Sequence, residues 1–197
     1  MEFHEFGEFI ERQSDLFVGH HALLTFVQIL PNMGIHEPVQ PEIIEAISDY
    51  EIERNKPMPS LNHSIIQLNL GSELRNAYKK AFRVASELSL ALADWPSVPD
   101  ICIFPKTPLD LSQDVTAVTE APLCAIEICS PSQSAYEMRQ KVEKYFQHGV
   151  KSCWIVFPSF ANIYVYSDPE SYEIYRSHET LKDTVLDISL PLKEVFE

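Results

Sequence analysis

Leu123-Cys124-Ala125-Ile126-Glu127-Ile128-Cys129 is a run of six apolar residues and a single acid. So short and apolar a run reads as a core strand. Burying an unpaired carboxylate is costly, so Glu127 must meet a cation, a donor or a cavity. Downstream, Ser134-Ala135-Tyr136-Glu137 fits a capping box and Gly149 fits a helix stop, which predicts a helix from about Ala135 to His148. Ser152 to Phe157 then reads as a second core strand. Ile163 to Tyr166 and Glu173 to Arg176 read as two more, with Ser167-Asp168-Pro169-Glu170 as the turn between them.

Upstream, Pro99 to Phe104 reads as a strand opened by Pro99-Asp100, and Pro105 to Ala121 as a long loop, either a crossing or a lid. Phe82 to Ala93 alternates loosely as one strand. Asn62 is the expected N-cap of a helix running to about Ala81, with Ile65, Leu68, Leu74, Tyr78 and Ala81 near one face. Tyr50-Glu51-Ile52-Glu53 alternates like a strand before an Arg54-Asn55-Lys56 turn. The chain before it reads as helical to about Asn32, with a short helix over Glu42 to Ser48. The order of elements predicts an α/β domain.

Composition bounds the function. The 197 residues carry 15 Lys and Arg against 29 Asp and Glu, a net charge of −14 that argues against a general polyanion binder. The acidity is concentrated before Arg54, where eleven acids face one base. Eight bases cluster as Arg75, Lys79, Lys80, Arg83 and as Arg139, Lys141, Lys144, Lys151, which predicts two local positive surfaces. No run reaches the roughly 18 apolar residues of a membrane span, because His20, His21, Thr25 and Gln28 interrupt the greasiest stretch. The acidic start, Met1-Glu2-Phe3-His4-Glu5, is unlike a leader. The expectation is therefore a cytoplasmic protein. Cys102, Cys124, Cys129 and Cys153 form no C-x-x-C pair and read as small buried residues in a reducing compartment.

Asp100 and Glu127 stand on successive predicted strands. Two strand acids that converge can hold one hard divalent ion, an arrangement suited to metal-assisted phosphodiester hydrolysis with a nearby lysine to orient the attacking water. Helical angles point to the lysine. With Met138 at 0° and about 100° per residue, the apolar stripe Ala135, Met138, Val142, Tyr145 and Phe146 spans about −20° to +80°. Lys141 falls at about −60°, beside the stripe, and Lys144 at about −120°, further into solvent.

Pro99-Asp100, Ile126-Glu127-Ile128-Cys129-Ser130-Pro131-Ser132, Lys141-x-x-x-Tyr145-x-x-x-Gly149-Val150 and Trp154-Ile155-Val156 together resemble the Uma-two family of restriction endonucleases, within the PD-(D/E)XK nuclease superfamily. Tyr50-Glu51-Ile52, Lys56-Pro57-Met58-Pro59-Ser60 and Asn62-His63-Ser64 resemble that family's entry hairpin and first helix. The resemblance runs from about Asp49 to Glu197. It implies a restriction-endonuclease-like α/β core over 49–197, a central mixed β-sheet flanked by helices, with an N-terminal helical extension over 1–48.

The resemblance further implies an endonuclease that cuts DNA with Mg2+ or Mn2+. Asp100 and Glu127 would be metal ligands and Lys141 the migrated catalytic lysine. Glu87 matches an acid on the family's first core strand and is the expected accessory ligand. His63 is expected to contact substrate or a ligating carboxylate, and Glu51 to support the site from the hairpin. A homodimer would help such a protein cover a duplex. Three residues depart from the pattern: Cys129 replaces the lysine of E-x-K, Asn55 replaces a hairpin glycine, and Phe157 replaces the aspartate of W-x-V-D-P.

The competing expectation is a non-catalytic dimeric scaffold or regulator with the same fold, favoured by the acidic balance and the missing E-x-K lysine. Phe17, Val18, Leu23, Leu24 and Phe26 would then form a natural protein interface. A serine hydrolase is disfavoured by the absence of G-x-S-x-G. A zinc site at His20, His21 and His36 lacks the ligand spacing.

Overall fold

The computed structural model describes residues 59–197. Expectations for the N-terminal helix, the Tyr50–Glu53 hairpin and Glu51 lie outside the described residues. The chain enters through α1 (Leu61–Tyr78) and β1 (Phe82–Ser86). A small hairpin of β2 (Leu90–Leu92) and β3 (Trp95–Ser97) follows, then β4 (Ile101–Pro105), β5 (Cys124–Ile128), α2 (Ala135–Gln147) and β6 (Ser152–Phe157). A 3-10 turn (Pro158–Phe160) leads to β7 (Asn162–Tyr166), β8 (Tyr172–Arg176), β9 (Thr180–Asp183), β10 (Ile188–Pro191) and the short α3 (Lys193–Phe196).

Six strands form one mixed sheet in the order β1-β4-β5-β6-β7-β8. Its neighbours pair antiparallel except β5 and β6, which are parallel and joined through α2. Parallel strands need such a crossover because a tight turn cannot return the chain in the same direction.

Side-chain alternation sorts the sheet into two faces. Ile101, Ile103, Ile126, Ile128, Trp154 and Val156 pack with Ile66, Leu70 and Leu74 of α1, and with Leu181, Ile188 and Leu190 of the β9–β10 hairpin. Cys102, Ala125, Cys153 and Ile155 pack with Met138, Val142 and Tyr145 of α2. Covered on both faces, β5 is buried along its whole length. Each fully buried large aliphatic side chain contributes about 1.5–3 kcal/mol.

The helix after Glu127 forms as the sequence reading expects. Ser134 accepts from the N–H of Glu137 while the Glu137 carboxylate accepts from the N–H of Ser134, and Gly149 leaves the helix at φ 93°. A side chain at Gly149 would have room but not the backbone conformation.

Three expectations are corrected. The first helix is capped by Ser60, whose hydroxyl accepts from the N–H of His63, rather than by Asn62, and it ends at Tyr78 rather than about Ala81. It buries His63, Ile66, Leu70 and Leu74, whereas Ile65 and Leu68 are exposed. Phe82 to Ala93 is two strands of different sheets, because Glu87 turns the chain at φ 50°. The long loop is neither a crossing nor a lid but the connection between the adjacent antiparallel strands β4 and β5, pinned to the small hairpin at Val118, whose N–H donates to Ser89 and whose carbonyl accepts from Ala91.

Cys102, Cys124 and Cys153 are buried, Cys129 is half-buried, and none of the four forms a disulfide. Among the described residues no helix is long and apolar enough to cross a membrane.

Candidate active site

The carboxyl ends of β5 and β6 and the amino end of β4 lie at one end of the sheet, where the first turn of α1 and the Lys141–Tyr145 stretch of α2 reach the two acids. In open α/β sheets this is where the topology leaves room for a ligand. The register Ile101↔Ile126 ends one residue short of placing Asp100 opposite Glu127. Both acids are sealed from solvent, at 0% and 2% exposure. Each therefore depends on protein donors.

The two carboxylates turn to different helices. Glu127 accepts from Lys141 Nζ through Oε2 at 2.8 Å and from the Tyr145 hydroxyl through Oε1 at 2.6 Å. Asp100 accepts from the N–H of Ile128 through Oδ2 at 2.6 Å, while its Oδ1 lies 3.1 Å from His63 Nε2 on α1. An ionised Asp100 requires the proton on Nε2, and His63 Nδ1 faces the Ser130 hydroxyl at 3.4 Å. Gln67 donates to the Asp100 carbonyl at 3.0 Å. The site is thus one continuous chain of contacts from α1 through the strand ends to α2.

Lys141 lies where the helical angles place it. Its side chain is 29% exposed, so its ammonium bridges the buried Glu127 and solvent. Tyr145, one turn further, is fully buried. Its hydroxyl also meets Ser97 Oγ at 2.7 Å, and its ring meets Trp95 edge-on at 4.9 Å between centroids. Burial, followed by the Glu127 carboxylate, pushes the Tyr145 phenol well above its ordinary value. The part of Tyr145 in holding Glu127 is absent from the sequence reading, although its i,i+4 spacing from Lys141 signals it.

Glu87 follows β1 and donates its N–H to the Asp100 carbonyl at 3.1 Å. It lines a groove with Ser86, Gln67 and Arg75 between α1 and β1. Among the described residues no three His, Cys, Asp or Glu side chains gather as an ion-holding set, so Glu87 does not complete a trio with Asp100 and Glu127. Cys129, in the E-x-K position, donates weakly to the Ser130 and Gln133 carbonyls, and burial followed by Glu137 pushes its thiol up.

The donor set matches a hard cation. Magnesium is commonly held by one or two carboxylates with water completing its shell. A carboxylate has about four lone-pair sites, so oxygens that already accept one hydrogen bond keep the capacity to ligate.

Of the two basic clusters, the one on α2 is largely engaged. Arg139 pairs with Glu170 at 2.7 Å and Glu143 at 3.6 Å, Lys141 holds Glu127, and Lys144 lies 5.5 Å from the centre of the Trp95 ring. Of the cluster that starts on α1, Arg75, Lys79 and Lys80 are exposed.

A six-stranded mixed sheet with a helix on either face and acids at its strand ends defines a restriction-endonuclease-like protein. The Uma2 family model, described as "Putative restriction endonuclease", matches residues 36–195, and the chain belongs to that family. Among solved structures it is similar to "a putative nuclease belonging to DUF820" from Anabaena variabilis ATCC 29413. The two share 26% identity over 72% of this chain and 83% of the other, with a TM-score of 0.63. No curated protein matches.

Proposed function

We propose that the protein is a divalent-dependent DNA endonuclease that hydrolyses phosphodiester bonds. The observation that carries this reading is the Lys141 ammonium 2.8 Å from the buried Glu127, with Asp100 bound to the backbone N–H of the next residue. Asp100 and Glu127 would hold Mg2+ or Mn2+. When bound, such an ion stabilises charge on the phosphate and lowers the pKa of an attacking water.

The chain's own residues do the rest. Tyr145 fixes one oxygen of Glu127 and leaves the other to Lys141, which reaches the solvent side and can orient a water by hydrogen bonding. His63 and the N–H of Ile128 hold Asp100 in a single orientation. The exposed cations Arg75, Lys79 and Lys80 are the phosphate-contacting surface, and a pair of chains would extend it along a duplex.

The test is cleavage of supercoiled and single-stranded circular DNA with magnesium, manganese or EDTA. The expected result is divalent-dependent nicking that disappears in folded Asp100→Asn, Glu127→Gln and Lys141→Ala variants. One observation favours a second reading, the non-catalytic scaffold: each site carboxylate already has protein donors on both oxygens. No cleavage in any condition, together with no calorimetric divalent binding, selects that reading.

A further inference from the structure

Beside the carboxylates lies a cavity that the chemistry above does not use. We infer that it seats an unpaired nucleobase of a nucleic-acid strand, an inference that rests on the nuclease reading for its substrate class. The cavity has a volume of about 210 Å³ and is walled by Cys129, Ser130 and Gln133 on one side and by Phe157 and Phe160 on the other.

Two features fit a base. The walls include two phenyl rings, one of them 75% exposed: Phe160 is carried outward on the 3-10 turn, which Ala161 closes at φ 46°. Base–aromatic stacking tolerates any sequence because every base has a π-face. Gln133 is pinned through Oε1 by the N–H of Ser130 at 2.9 Å, and its amide NH2 makes no hydrogen bond among the described residues. That leaves a donor for a base edge.

The cavity also joins the site. Ser130, in its wall, reaches His63, which holds Asp100. Glu127, which Lys141 holds, stands two residues before Cys129 of the same wall.

Phe157 gives the departure from W-x-V-D-P a purpose. A ring replaces a carboxylate that would repel phosphate. The aromatic surface continues outward, with Phe157 edge-on to Tyr164 at 5.1 Å and Tyr164 stacked on Tyr172 at 5.5 Å. These rings extend the platform to the next base.

The experiment is fluorescence anisotropy in EDTA with three probes: a labelled oligothymidylate, the same oligomer with one abasic position, and a blunt duplex of equal length. Wild type, Phe160→Ala and Phe160→Trp are compared. Phe160 is exposed, so both variants should fold with unchanged Tm. Expected are single-strand affinity about fivefold to thirtyfold weaker in Phe160→Ala, near-normal affinity in Phe160→Trp, and no change toward duplex. Equal affinity in wild type and Phe160→Ala, no single-strand binding by wild type, or a change of oligomeric state in place of affinity would each overturn the inference. Cleavage by Glu127 and Lys141 is scored separately. Cleavage that persists without Phe160-dependent binding removes only the base seat. Phe160-dependent binding without cleavage keeps the seat and retires the nuclease.

Discussion

Removing one oxygen from Tyr145 tests whether Glu127 is held as described. Tyr145→Phe keeps the ring against Trp95 but deletes the donor to Glu127 Oε1 at 2.6 Å and the partner of Ser97 Oγ at 2.7 Å. A hydrogen bond to a charged group is worth about 1.5–3 kcal/mol, and Glu127 is too deeply buried for water to replace it. The substitution should therefore cost about 2 kcal/mol, or about 4–8 °C in Tm for a chain of this length. In a Glu127→Gln background the bond is no longer charge-assisted and its loss should cost only about 1 kcal/mol. A double-mutant cycle by urea unfolding should thus show a coupling of about 1 kcal/mol. Additive single effects, or a Tyr145→Phe cost below about 0.5 kcal/mol, would refute this account of how the acid is compensated.

Other expectations follow from the same contacts. Asp183 is buried and accepts from Trp154 Nε1 at 2.8 Å and Ser152 Oγ at 2.5 Å, as well as from the N–H groups of Val185 and Leu186. Asp183→Ala strands those donors and should cost about 3 kcal/mol, with a shift in tryptophan emission on the folded protein. Alkaline titration should destabilise the fold above about pH 10, the ordinary tyrosine value. Burial and then Glu127 hold the Tyr145 phenol protonated, and burial with the neighbouring Glu173 pushes Tyr175 up to about 12. The unfolded chain then loses protons first, so stability falls as pH rises. Unfolding midpoints between pH 9 and 12, flat in that window, would count against it. Thiol labelling of the native protein should modify half-buried Cys129 before Cys102, Cys124 and Cys153, as mass spectrometry of the labelled peptides can show.

The sequence is most legible where chemistry punctuates it locally. The helix bearing Lys141 has a capping box at one end and a left-handed glycine at the other, so its phase, and with it the direction of Lys141, follows from counting residues. The first helix offers no such certainty. Leu61, Ile65, Ile66, Leu68, Leu70 and Leu74 surround it with apolar groups, Ser60 and Asn62 are both good caps, and only packing on the sheet selects the face that carries His63. The turn at Glu87 has neither glycine nor proline to announce it. Asp183 takes Ser152 and Trp154 from a strand some thirty residues away, and no local pattern records such long-range pairing.

Glu127, Cys129, Lys141, Tyr145 and Phe157 all belong to the β5-α2-β6 segment, one uninterrupted stretch from Cys124 to Phe157. Most of what shapes the pocket is thereby inherited as a cassette. Drift, insertion or recombination in the exposed 108–117 stretch, where Leu109, Leu111 and Val115 already face water, can proceed without disturbing it. Asp100 and His63 are the pieces that evolution must keep in alignment from outside.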